Sequence, residues 1–159
     1  MDKVKLLAQF CEQLRADLVI LREAARATAE ASTHEESKPE NQYDTRALEA
    51  SYLAGAQSKR IVEVEDVLLS CQQLQVRNFA GGDAIAVSAL IEVELEQKRS
   101  HFLMLTKGGG LSLNFEGKKI NVITTQSPLG EALFGLIAGQ TAVVEKGPQT
   151  LEYEILSVQ

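Results

Sequence analysis

At 159 residues, 45% apolar and 24% charged, the chain has the make-up of a folded protein with one compact domain or two small ones. A net charge of −6 excludes a free-standing nucleic-acid binder, whose phosphate contacts need a basic face. Two cysteines exclude a disulfide scaffold, no apolar run approaches the roughly 20 residues of a membrane span, and the start "MDKVKLLAQFCEQLRADL" lacks the apolar core of a signal peptide, so a cytoplasmic location with no membrane partner is expected.

From residue 4 to about residue 31 the chain has neither Gly nor Pro, and Leu7, Cys11, Leu14, Leu18, Leu21, Ala25 and Thr28 follow one another at alternating spacings of four and three. That is the a/d seam of a long helix made to pack on another. A second seam runs through Ala47, Ala50, Ala54, Gln57, Ile61, Val64, Leu68 and Cys71. Two such stretches joined by a short polar segment predict an antiparallel coiled-coil hairpin. With the bend centred near residue 37, partner numbers sum to about 75, so that Leu14 faces Ile61, Cys11 faces Val64 and Ala25 faces Ala50. The seam is Leu, Ile and Val near the ends and mostly Ala near the bend, which gives a thick base and a slender tip. An Ala-rich seam of this kind predicts a monomer.

The bend, "HEESKPENQYD", holds the densest acidic cluster: Glu35, Glu36, Glu40 and Asp44. Ser37 with Glu40 fits a capping box, and carboxylates suit the positive end of a helix. Capping leaves Glu35 and Glu36 unexplained. Carboxylates that converge can hold part of a Mg²⁺ shell, completed by waters and a substrate phosphate, and Glu36 and Glu40 are the candidates. His34 and Tyr43 lie on the same bend and read as a solvated loop residue and a residue that shapes the tip.

Past Leu74 the period switches to two. "DAIAVSALIEVELE" predicts a half-buried strand starting at Ile85, followed by "SHFLMLT", the turn "KGGG", "LSLNF", the turn "EGKK" and "INVITT". "SPLGEALFGLIAGQ" predicts a short helix with Ser127 as N-cap and Pro128 at its first position, and "TAVVE", "KGP" and "LEYEILSV" predict a closing hairpin. The fold class is therefore α+β, with residues 1–76 as the helical hairpin, its acidic tip near 34–44, and residues 77–159 as a small, mostly antiparallel sheet domain with one short helix. "TKGGGLS" lacks the Gly-Lys-Ser/Thr ending of a phosphate loop and reads as a hairpin turn. No Cys/His cluster has zinc spacing.

An acidic helical tip followed by a domain carrying "SPLGEAL" resembles the Gre-type transcript-cleavage factors of bacterial RNA polymerase. That family has a Gly-Asp-Leu-x-Glu-Asn-x-x-Tyr tip and a Ser-Pro-Leu-x-x-Ala-Leu helix. Here Glu40-Asn41 with nearby Tyr43 keeps part of the first pattern, and Ser127 to Leu133 matches the second almost letter for letter. The resemblance implies an FKBP-like second domain docked on the rim of the polymerase's secondary channel. It also implies a coiled coil inserted through that channel, and tip acids that help hold a second Mg²⁺ jointly with the polymerase. Glu36 would stand for the family's Asp and Glu40 for its Glu, catalytic and metal-holding roles lent to the polymerase, so the chain itself is an accessory factor and not an enzyme. RNA polymerase would be the partner, with the 3′ end of nascent RNA reached indirectly. The Gly-Asp-Leu triplet is missing and Glu36 to Glu40 is one residue wider than the family spacing, which opens the alternative of a regulator that occupies the channel without stimulating cleavage. A more distant alternative is a prolyl isomerase or chaperone-like module built on the second domain.

Overall fold

A computed structural model describes residues 1–33 and 46–159. The elements in chain order are helices α1 (Lys3–Thr33) and α2 (Arg46–Gln72), strands β1 (Leu90–Leu95), β2 (Lys98–Leu105), β3 (Ser112–Phe115) and β4 (Lys118–Thr124), helix α3 (Pro128–Leu133), and strands β5 (Thr141–Lys146) and β6 (Gln149–Val158). The chain is α+β. It divides into two compact units, one of Met1–Phe10 with Ser70–Gln159, the other of Cys11–Leu69.

In the helical unit, burial follows the seam read from the sequence. Leu14 and Leu18 are buried, and Leu21, Ala25 and Thr28 are half-buried, while the residues between them are exposed apart from Asp17. On α2, Val64 is buried and Gln57 and Ile61 are half-buried, but Ala54 is exposed and Val67, outside the expected seam, is buried. Arg22 Nη2 donates to Glu65 Oε1 at 2.6 Å, and Gln57 Nε2 donates to Thr28 Oγ1 at 3.1 Å. As the number on α1 rises, its partner on α2 falls, so the two helices run antiparallel here. Their partner numbers sum to about 86 and not to about 75, an axial difference of roughly 15 Å at the helical rise. The expected facing of Leu14 with Ile61 and of Cys11 with Val64 is thus corrected; the cause is that a heptad pattern fixes which face packs but not how far along it packs.

In the other unit the six strands form one sheet in the order β3-β4-β2-β1-β6-β5. It is mixed: β2 and β4 pair in parallel, from His101 with Ile120 to Leu105 with Thr124, and the other neighbours are antiparallel. The sheet is thus mostly antiparallel, as expected, but the hairpin expected at "KGGG" is corrected: β3 is carried to the edge and β4 takes the place beside β2. The expected strand at Ile85 begins only at Leu90. Ser88 between them has φ 75°, a left-handed conformation that breaks a strand. Ile85 is still in the core, its N–H donating to Leu136 O and its carbonyl accepting from Gly135 N.

One face of the sheet packs Ile91, Val93, Met104, Ile123, Ala142 and Ile155 with Leu133 of α3. On the other, Leu103, Leu105, Leu113, Phe115, Ile120 and Val122 are buried, and Leu6 and Phe10 of the first ten residues are fully buried. Gln9 Nε2 donates to Asn114 O at 2.8 Å and ties that segment to β3.

Candidate functional site

Glu36 and Glu40, the residues to which the sequence gives the chemistry, lie outside the described residues, as do Glu35, Asp44, Ser37, His34 and Tyr43. Among the described residues, no three His, Cys, Asp or Glu side chains come together to hold a metal.

The second motif is described in full. Ser127, with extended backbone (φ −81°, ψ 148°), caps α3: its Oγ accepts from Gly130 N at 3.2 Å and donates to Thr124 O at 2.7 Å. Pro128 occupies the first turn, where a missing N–H costs nothing. Gly130 is required for space. A Cβ there would overlap the Thr124 carbonyl oxygen and lie 2.8 Å from both Thr124 C and Ser127 Oγ. Leu133 is fully buried beneath the helix, and Gly135, at φ 83°, turns the chain so that its N–H reaches Ile85 O. The letters of "SPLGEALFG" thus specify a one-turn helix clamped at both ends, with Glu131 and the half-exposed Phe134 left outside.

Two polar assemblies have no counterpart in the sequence reading. The first runs across β1, β2 and β4. Lys118 Nζ lies 3.1 Å from His101 Nε2, and because an ammonium has only donors, that ring nitrogen accepts and the imidazole is neutral. Burial lowers the His101 pKa, Lys118 lowers it further, and Glu92, 3.8 Å away, opposes both. Arg99 holds Glu94 at 3.3 Å and Glu92 at 3.7 Å. His101, Lys118, Glu92 and Glu116 line a cavity of about 160 Å³. Glu92 thus faces both Arg99 and His101, while Lys118 meets the His101 ring. Cross-strand pairing of Glu92 with His101 could have been found only from the register.

The second assembly surrounds Lys3, whose Nζ donates to the carbonyls of Arg77 and Ser88 and lies 4.6 Å from the centre of the Phe79 ring. Desolvation lowers its pKa to about 8, with the Arg77 charge adding to the effect. Carbonyls and a ring face favour the ammonium, but among the described residues no carboxylate forms an ion pair with it. A lysine in the first turn of a helix gives no sign of this in the sequence.

No family model matches the chain. Its curated relatives include a protein named transcription elongation factor GreA from Methylococcus capsulatus, 28% identical, with 100% of this chain and 99% of that protein covered. Another of the same name, from Xanthomonas campestris pv. campestris, is 26% identical over 92% of this chain and 91% of its own length. The chain is similar over its whole length to proteins named as Gre-type transcription elongation factors. Among solved structures, the GreA factor homolog 1 of Thermus thermophilus aligns over 98% of this chain and 93% of its own, with a TM-score of 0.38 and 18% identity. At that score the likeness adds nothing to what the sequence relatives carry. The Gre-type match runs through both the acidic segment and the clamped SPLG helix.

Proposed function

We propose that this chain is an RNA polymerase-binding transcription elongation factor that promotes cleavage of backtracked RNA. The observation that carries the reading is the end-to-end match to relatives named transcription elongation factor GreA, which spans both units without a missing part. In this reading α1 and α2 form a coiled-coil hairpin that enters the polymerase's secondary channel with residues 34–44 foremost, and an FKBP-like second domain (77–159) rests on the channel rim. The seam supports it: beyond Leu18 the inward positions are only half-buried and fall in size from Leu21 to Ala25 and Thr28, a taper suited to a narrow opening. Glu36 and Glu40 would hold a Mg²⁺ jointly with the polymerase, and the ion, when bound, supplies activation of the attacking water. The chain's own task is to bring two carboxylates to a site whose remaining ligands belong to the polymerase. The protein acts in the cytoplasm, as a monomer, and meets the RNA 3′ end only through the polymerase.

The test is a stalled, backtracked elongation complex. The protein should shorten the RNA from its 3′ end, and Glu36→Ala or Glu40→Ala should abolish shortening while binding to polymerase persists. RNA shortened equally by both variants overturns the assignment. The one-residue-wider spacing from Glu36 to Glu40 favours a second reading, occupancy of the channel without cleavage. Its mark is retained binding, no shortening by the unmodified protein, and slowed elongation.

A further inference from the structure

The seams of α1 and α2 fit together in two registers. With partner numbers near 75, Leu18 meets Gln57 and Leu21 meets Ala54; near 86, Leu21 meets Val64, Ala25 meets Ile61 and Thr28 meets Gln57. Both set seam against seam, because they differ by about one and a half heptads. The apolar pattern does not choose between them, and toward the bend the small side chains interlock too little to choose.

Gln57 chooses. Its Nε2 donates to Thr28 Oγ1 at 3.1 Å, and that hydroxyl donates in turn to Ala24 O at 3.0 Å. Its Oε1 is buried and takes no hydrogen bond from any described residue. In the slipped register the whole amide would face Leu18 and Nε2 would lose its partner as well, leaving both ends of the amide unpartnered instead of the single orphaned oxygen of the observed register. A polar seam residue that gives up stability to specify alignment is the behaviour expected of such a position.

We propose that the Thr28–Gln57 pair is the register lock of the helical pair, and that both are positioning residues for whatever the segment 34–45 carries. The consequence for cleavage rests on the function proposed above; the lock itself does not, and is tested without polymerase. In a Cys11→Ser, Cys71→Ser background, one cysteine pair, Ala25→Cys with Ile61→Cys, reports the observed register. A second, Leu21→Cys with Ala54→Cys, reports the slipped one. Mild oxidation of the background protein should cross-link the first pair and not the second. Gln57→Leu should keep or raise the helix content and thermal stability while the slipped-register product rises roughly five- to tenfold. Thr28→Val, which keeps the shape of Thr28 but leaves Gln57 Nε2 unpartnered, should raise the slipped-register product too, at some loss of thermal stability, and guards against a folding defect in the first variant. Cross-linking unchanged in both variants overturns the proposal. In the RNA assay, a background protein that never shortens RNA sinks the proposed function and leaves the cross-linking result standing.

Discussion

Gly130→Ala is the most exacting test of how α3 is held. Its Cβ would sit 2.8 Å from Thr124 C and Ser127 Oγ, against the 3.5–4.0 Å that carbon contacts need, and would overlap the Thr124 oxygen. The first turn of α3 must therefore withdraw from the end of β4 by roughly 1 Å. Nothing nearby can give way cheaply, since the blocking atoms are backbone on one side and the capping hydroxyl on the other. Withdrawal stretches the Ser127–Gly130 cap, worth about 1 kcal/mol, and drags the fully buried Leu133, which adds overpacking strain of about 2 kcal/mol. The expected loss is about 3 kcal/mol, or roughly 6–12 °C in melting temperature for a chain of this size. Urea unfolding followed through the amide signals of Met104 and Ile155, both in the sheet unit, measures it. Ser127→Ala, which removes the cap alone, should cost only about 1 kcal/mol. A Gly130→Ala protein less than about 1 kcal/mol weaker than the parent would refute the steric argument, because it would mean the turn moves freely.

Other expectations follow from the two polar assemblies. Lys3 has a folded-state pKa of about 8, below its unfolded value of 10.5, so between those limits the unfolded chain binds the extra proton and this group makes stability rise with pH. Lys3→Met should erase that rise in urea unfolding measured from pH 7.5 to 10.5; a slope unchanged by the substitution would show that the amine is not buried as described. For His101 the lowered pKa means that stability falls as pH drops below the ordinary value of 6.5, down to the folded-state value, because the unfolded chain protonates first. Lys118→Met removes one of the two lowering influences, so the His101 ring should titrate at higher pH by NMR, while an unmoved or lower titration would exclude contact between the two side chains. Removing the exposed Arg22–Glu65 pair by Arg22→Ala should change stability by less than about 1 kcal/mol, and a larger loss would give that pair a share in setting the register.

Much of this architecture was legible because it rests on local signals. The four-and-three spacing from Leu7 to Thr28 marks the inward face of α1, since a helix shows its burial every few residues. Ser127, Pro128 and Gly135 mark the ends of α3 through capping and backbone preferences that act within one turn. What escaped is non-local. The parallel partnership of β2 with β4 depends on β3 being displaced to an edge, which no residue of the "KGGG" turn encodes. The helix register escaped because Leu21 can meet either Ala54 or Val64 without breaking the pattern, and the residue that decides, Gln57, reads in sequence as a flaw in the seam. Gly130 is legible as a letter of a motif, but its reason, a carbonyl filling the space where a side chain would stand, exists only once β4 and α3 are assembled. Of the candidate site, the acidic residues were found as an excess over capping needs; their geometry lies outside the described residues.

The place of β6 in the sheet bears on how the protein is made. It lies between β1 and β5 and follows both in the chain, and the first ten residues belong to the same unit as the sheet. The segment Cys11–Leu69 is contiguous and can reach its fold while the rest is still being synthesised; the sheet unit must wait, with β1 lacking one neighbour and β5 lacking its only one. A chain broken off before Leu151 would therefore have its helical segment whole and its sheet unfinished.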